Sequence, residues 1–406
     1  MAKVGRATGS RITVAICFLA AIFEGVDLQA AGVAAPHLLP LLKLTPSQAG
    51  IFFSASTVGL LIGAPVGGRL ADRFGRKGML LASIVVFGLF ALATALVGDF
   101  SGLVAMRFLT GLGLGGAMPN MIALASESAP ARDKGFAVAL MYAGMPFGGA
   151  LASLISLTAG ADWKSIFYVG GVAPLLLAPV ILFALTDSYR TRHGDPDPAA
   201  DEVGALKALF GQSRARVTPL LWVAFGFTLL VLYLLLNWLP SLLISRGFSK
   251  PTAAAVQIVF NLAGAAAGIL AGRLIDGRHR LIVVALSFGA TLAGLWLLAA
   301  MPADTAVALA VGALAGVGIL SNQAILYALS PQGYPAPIRG TGVGAAVAVG
   351  RVGSLIGPIV AGQLVGAGQS ASQVLTHMLP IILIGAVAAL ALAATSPRQE
   401  PESYVP

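Results

Sequence analysis

The chain has 406 residues, of which 57% are apolar and only 10% charged, against a charged share of about 25% in soluble proteins. So few charged side chains do not cover the surface of two or three soluble domains, so most of the chain belongs in a bilayer. The formal charge of +9 is scattered over short turns with no aromatic–basic patch, which excludes a nucleic-acid surface, and the single cysteine, Cys17, excludes a disulfide framework or a cysteine-based metal site.

A membrane-spanning helix needs about 20 mainly apolar residues. Twelve such runs are expected, at 12–34, 47–67, 78–97, 102–126, 135–159, 165–186, 217–244, 252–271, 281–300, 305–328, 340–364 and 374–395. Lys3, Arg6 and Arg11 precede the first run, which lacks a small-residue cleavage site and is too long for a signal peptide, so it reads as an uncleaved span. That span carries Glu24 and Asp27. Ionisable groups inside a membrane cost about 2.5–3.5 kcal/mol each on insertion scales and are functional candidates by default. Three residues apart on a helix, the two acids project from one face.

The fourth span holds Arg107 near its start and Glu127 at its end. At helical rise, Asp27 lies about 12 Å and Arg107 about 8 Å from the same membrane surface, so the acids and the arginine sit at compatible depths. "GLGLGG" at 111–116 has the look of a dinucleotide fingerprint, but no strand precedes it; Gly111 and Gly115 are spaced for close helix packing. "GMPFGGA" at 144–150, in the fifth span, reads as another tight helix crossing. Glu127 reads as part of a charge network with Arg69, Arg73 and Arg132 at the membrane edge, or as a plain interfacial acid. Arg351 lies near the middle of the eleventh span, either as an anion contact or as a structural charge held by carbonyls or an acid such as Glu127. His37, His193, His279 and His377 have no metal-ligand spacing, so no metal or other cofactor is expected.

The longest polar interval, 187–216, divides the chain into an N-terminal half, 1–186, and a C-terminal half, 217–406, of six spans each. An even span count puts both termini on one side. Placing them in the cytoplasm gives the cytoplasmic segments nineteen Lys and Arg against four opposite, which sets the orientation. "GRLADRFGRK" at 68–77 and "GRLIDGRHR" at 272–280 share Gly-Arg-Leu-x-Asp at an offset of 204 residues, each after the second span of its half. That repeat points to a duplicated six-span unit with parallel halves and a substrate site between them. The expected fold is therefore an all-α membrane protein of twelve helices in two pseudo-symmetric halves.

"GGRLADRFGRK", the twelve spans and the long central loop resemble the major facilitator superfamily over the whole chain. Acid-Gly-x-Asp at 24–27, "RFLTGLGLGGAMPN" at 107–120 and "IRGTGVGAAVAVGRVGSLIGPIVAGQL" at 338–364 look like its aromatic acid:proton symporters. "EGVDLQAAGVAA", "NWLPSLL" and "LYALSPQGYP" look most like the branch that imports 3-(3-hydroxyphenyl)propionate. The resemblance implies a proton-coupled importer of a small aromatic carboxylate, working as a monomer in the inner membrane, with the first and fourth spans lining a central cavity. Glu24 and Asp27 would then couple the proton, and Arg107 and Arg351 would take the carboxylate, for which a guanidinium fork is suited. Two carboxyls this close do not both ionise easily in a low dielectric, so one of them is the proton carrier; a static ion pair between two helices is the bland alternative. Tyr142, Tyr233, Asn237, Trp238, Asn322, Gln323 and Tyr327 are candidates to hold the ring and its hydroxyl, or else packing and interhelical contacts. The family pattern makes Gly68, Asp72, Arg73, Gly75, Arg76 and Asp276 gating-loop residues. Much of the wider family has Asp where this chain has Glu24, a longer side chain that bears on substrate size. A proton-coupled drug exporter is the competing transport function, weakly supported because "GMPFGG" lacks that motif's Gly-Pro order. A membrane enzyme lacks any nucleophile–base pair or phosphate loop, and a nutrient sensor would add a long cytoplasmic domain.

Overall fold

A computed structural model of the chain describes residues 2–130, 134–160, 162–185, 209–211, 214–275, 277, 279–335 and 338–395. The described residues form twelve long helices: α1 (Ala2–Leu41), α2 (Pro46–Phe74), α3 (Arg76–Leu96), α4 (Phe100–Ser128), α5 (Lys134–Ala159), α6 (Lys164–Ala184), α7 (Arg214–Ser245), α8 (Lys250–Leu274), α9 (Arg280–Ala300), α10 (Thr305–Leu329), α11 (Arg339–Gly366) and α12 (Ala371–Thr395). A short 3₁₀ turn, Ser330–Gly333, follows α10. Each long helix has the length and hydropathy to cross a bilayer. In hydrocarbon every backbone N–H and C=O must be bonded within the segment, which is why apolar runs of this length become helices. Phe183, Leu286 and Val387 are exposed on outward faces, as expected of side chains that meet lipid.

The expected spans reappear with shifted ends. The largest shifts are in α1, which starts ten residues early and continues past 34 through Pro36 and Pro40. Proline is tolerated inside membrane helices because neighbouring groups satisfy the carbonyl it frees. The chain turns only at Lys43, whose φ is 51°. The last three residues of the interval expected as central loop, Arg214–Arg216, belong to α7.

Helix packing repeats with a step of six. In the first half α2 packs on α4, α1 on α5 and α3 on α6; in the second, α8 packs on α10, α7 on α11 and α9 on α12. The two halves meet through α2 with α11, α5 with α8, and α1 with α7, a set that maps onto itself under the same step. The caps repeat as well. Thr45 accepts from the Gln48 N–H in a capping box on α2, and Ser249 accepts from the Thr252 N–H on α8. Asp99 caps α4 through the Gly102 N–H and Asp304 caps α10 through the Val307 N–H, both at 2.9 Å. These four caps share one end of the bundle, the end opposite the termini, called here the far end.

The glycine motifs do what their spacing predicts. A Cβ on Gly111 would collide with the Ser56 carbonyl of α2, and one on Gly148 with the Ile22 carbonyl of α1. Close backbone approach between α2 and α4 and between α1 and α5 makes the first half a tightly packed unit.

Candidate functional site

α1 is the central element, in contact with α4, α5, α6 and α7. Its mid-length residues therefore have protein on every side, and Glu24 and Asp27 are each 1% exposed. Arg107, on α4, is also 1% exposed. Its Nη1 donates to Asp27 Oδ1 at 2.5 Å and its Nη2 to the Asp27 backbone carbonyl at 3.0 Å. The ring of Phe167, on α6, lies 6.0 Å from Arg107 Cζ. All of these groups belong to α1, α4 and α6. The contact expected from matching depths is made, and Asp27 rather than Glu24 makes it.

Glu24 is placed differently. Both its carboxyl oxygens are buried and neither has a hydrogen-bond partner. Its charged neighbours are Arg351 and Asp27. Arg351 enters from α11 in the second half and is itself buried. It donates from Nη1 to the Tyr233 hydroxyl on α7 at 2.7 Å and from Nη2 to Met118 Sδ on α4 at 3.2 Å. Tyr142, Tyr327 and Tyr233 are also within electrostatic reach of Arg351. The rings of Tyr142, on α5, and Tyr327, on α10, lie 5.6 Å apart across the two halves, and Phe225 of α7 meets Tyr327 edge-on at 5.3 Å. An acid, a guanidinium and three phenol rings thus converge from α1, α5, α7, α10 and α11. A group with a carboxylate at one end and an aromatic ring at the other is the chemistry these side chains complement.

Other expected contacts are not drawn into this cluster. Asn322 faces α9: its amide donates to Thr291 Oγ1 at 2.8 Å, and its carbonyl accepts from Ser287 Oγ at 2.5 Å. Its polar atoms are occupied in joining α10 to α9. The Trp238 indole donates to the Pro358 carbonyl at 3.0 Å and packs edge-on against Phe53 at 5.3 Å, which places it on the α2–α7–α11 contact. Asn237 donates to the Tyr233 carbonyl one turn back and keeps a buried oxygen without a partner. Gln323 is half-buried beside Asn322.

At the opposite end of the helices, Gly75 ends α2 with φ 87°, a backbone that favours glycine. Arg76 then opens α3 and forms an ion pair with Glu127. The expected partners Arg69 and Arg73 are replaced by Arg76 because α3 packs along α4 and brings its first turn beside Glu127; the Arg73 guanidinium lies over the Phe74 ring at 5.4 Å. Asp72 is exposed, and a side chain at Gly68 would meet open space. Asp276 and Arg132 lie outside the described residues.

Three buried amides escaped the sequence reading. Gln29 on α1 and Gln257 and Asn261 on α8 bond to one another between the halves. Gln257 and Asn261 are four apart in an apolar run, a signal of the same kind as that of Tyr233 and Asn237.

A twelve-helix membrane bundle in two packed halves, with charged and aromatic groups between them, is the architecture of a secondary transporter. Residues 17–358 match the family described as the Major Facilitator Superfamily, and the chain belongs to that superfamily. It is 43% identical to the 3-(3-hydroxy-phenyl)propionate transporter of Escherichia coli K12, over 96% of each chain. It is 32% identical to the 4-hydroxybenzoate transporter PcaK of Pseudomonas aeruginosa, over 93% of this chain and 91% of that one. Among solved structures, a D-xylose–proton symporter superposes with a TM-score of 0.76 at 18% identity, over 95% of this chain and 98% of that one, which speaks to the fold. The protein is a multi-pass membrane transporter and not an enzyme.

Proposed function

We propose that this transporter imports a small aromatic carboxylate together with a proton, by alternating access of its two halves about Glu24 and Arg351. The observation that carries the reading is the unpartnered, buried carboxyl of Glu24, with Arg351 of the other half among its charged neighbours. A carboxylate buried without a hydrogen bond is far more costly than the neutral acid. Asp27, by contrast, has Arg107 in direct contact. Of two acids one turn apart, the one held by a guanidinium keeps its charge, and Glu24 is left as the proton carrier.

Coupling then follows from competition for one cation. While Glu24 holds a proton, Arg351 is available to a substrate carboxylate, which it can take with charge-assisted, paired hydrogen bonds. Tyr142, Tyr327 and Phe225 provide offset or edge-on surfaces for the ring. When Glu24 loses its proton to the cytoplasm, its carboxylate claims Arg351 and displaces the substrate. The relatives that transport 3-(3-hydroxy-phenyl)propionate and 4-hydroxybenzoate support an aromatic acid as the cargo. The halves are 1–186 and 217–406, and the interval 187–216 between them faces the cytoplasm, its last three residues already in α7. Both termini face the cytoplasm of a cell whose inner membrane holds the protein as a monomer, as the excess of Lys and Arg in those segments favours.

Purified protein in liposomes, offered a panel of labelled aromatic acids under an imposed proton gradient, tests this. Uptake is expected when the outside is acid. Equal uptake with the inside acid would contradict symport, and no uptake of any aromatic acid would remove the substrate class.

A further inference from the structure

The amides between α1 and α8 have no part in the charge chemistry. Gln29 is 3% exposed, and Gln257 and Asn261 are fully buried. Gln29 Nε2 donates to Asn261 Oδ1 at 2.9 Å while Asn261 Nδ2 donates back to Gln29 Oε1 at 2.9 Å, a closed reciprocal pair. Gln257 Nε2 adds a third bond to Gln29 Oε1 at 2.8 Å. Asn261 is itself oriented by a bond to the Gln257 carbonyl one turn back. All three bonds of Gln29 cross between the halves.

The backbone is cut to fit the cluster. Gly149 of α5 lies against it, and a Cβ there would collide with Gln29 Nε2 and stand 2.7 Å from Asn261 Oδ1. The pseudo-symmetric crossing, α2 with α11, is bonded too: Ser54 Oγ donates to the Leu355 carbonyl at 2.8 Å, and a Cβ on Gly362 would come 2.5 Å from the Pro46 carbonyl. Pro46 opens α2 and Gly362 lies near the end of α11, so that crossing closes the far end. Gln257 and Asn261 lie in the first half of α8, which also starts there.

We propose that Gln29, Gln257 and Asn261 are positioning residues for transport: an uncharged latch that holds the far end of the two halves closed and must open once in each cycle. Arg107 with Asp27 lies wholly within one half and has no need to part when the halves rock. The amide bonds cross between bodies that must separate there. Interhelical side-chain bonds in membrane proteins contribute a factor of about 3 each, so three of them bias the far end toward closure by roughly 25-fold, small enough for ligand binding to reverse. Carrying no net charge, the latch leaves the proton to Glu24. The inference rests on membership of the transporter superfamily and not on the identity of the cargo.

A single reporter cysteine tests it. Ser54→Cys in a Cys17→Ser background places a buried thiol on the α2–α11 crossing, where maleimide labelling in detergent reports opening of the far end from either side. Gln257→Leu is expected to raise the labelling rate about threefold, for one lost bond, and Asn261→Leu about tenfold, for two, with Gly149→Ala raising it by at least as much as Asn261→Leu by displacing Gln29. The exchange Gln29→Asn with Asn261→Gln keeps a reciprocal amide pair and should bring the rate back toward the parent, whereas each change alone raises it; loss of packing alone would show no such return. Labelling of Gln257→Leu and Asn261→Leu within twofold of the parent overturns the latch. Should Gln29 variants fail to fold, the two α8 variants decide the matter, and because labelling needs no substrate, the outcome stands apart from any result on aromatic acid uptake.

Discussion

Two arginines are buried among the described residues, and their bonds cover different ground. Arg107 makes its two bonds to Asp27 and lies beside Phe167, so its described contacts stay within the first half. Arg351 leaves α11, bonds Tyr233 in its own half and reaches Met118 on α4 in the other, with Glu24 as a charged neighbour there. The first arrangement survives a rigid rotation of one half against the other, and the second does not. A cation whose contacts change between states is able to read both cargo and proton, because a ligand shifts an equilibrium only by binding its states unequally. A cation whose contacts stay fixed holds a neighbouring acid in one charge state throughout.

The contrast is open to being broken at either arginine. The largest effect is expected at the fixed one. Arg107→Gln strands the Asp27 charge, and breaking a buried pair from one side costs about 3–5 kcal/mol; melting in detergent should show it, with most of the loss recovered when Asp27→Asn is added. An Arg107→Gln protein as stable as the parent would undo the strut role. At the mobile arginine the effect should fall on binding. Arg351→Lys keeps the charge but loses the fork, and is expected to raise KM for the aromatic acid about tenfold, or ~1.4 kcal/mol, with little change in melting. Asn322→Leu should lower stability by about 1 kcal/mol, for two lost interhelical bonds, and leave KM alone; a raised KM would return Asn322 to the substrate site. Tyr142→Phe should do least, within about twofold in KM, because the ring contact with Tyr327 is kept, while Tyr142→Leu should do visibly more.

Much of this was legible in the residues alone. Hydropathy marks the twelve helices because lipid leaves the backbone no alternative to bonding itself, and the 204-residue offset of the two Gly-Arg-Leu-x-Asp turns recurs in the offset from Thr45 to Ser249, both helix caps. Depth along two antiparallel helices was enough to bring Arg107 to Asp27. Rotation about each helix axis was harder to read. Gln323 and Tyr327 share a face, but only packing decides that Asn322, one residue earlier, turns to α9. The pairing of Glu127 with Arg76 depends on how α3 lies along α4 after a glycine turn, which no spacing encodes. Gln29 lies two residues beyond Asp27 and carries no charge to mark it, yet an amide in an apolar helix asks the same question as an acid.

The central claim is that Glu24 carries the transported proton while Arg351 takes the cargo. Glu24→Gln keeps the shape of the side chain and removes its titration. In liposomes it should exchange internal for external aromatic acid at close to the parent rate, yet fail to concentrate it under a proton gradient, the accumulation ratio falling to about 1 as coupling disappears. Accumulation by Glu24→Gln equal to that of the parent would contradict the account.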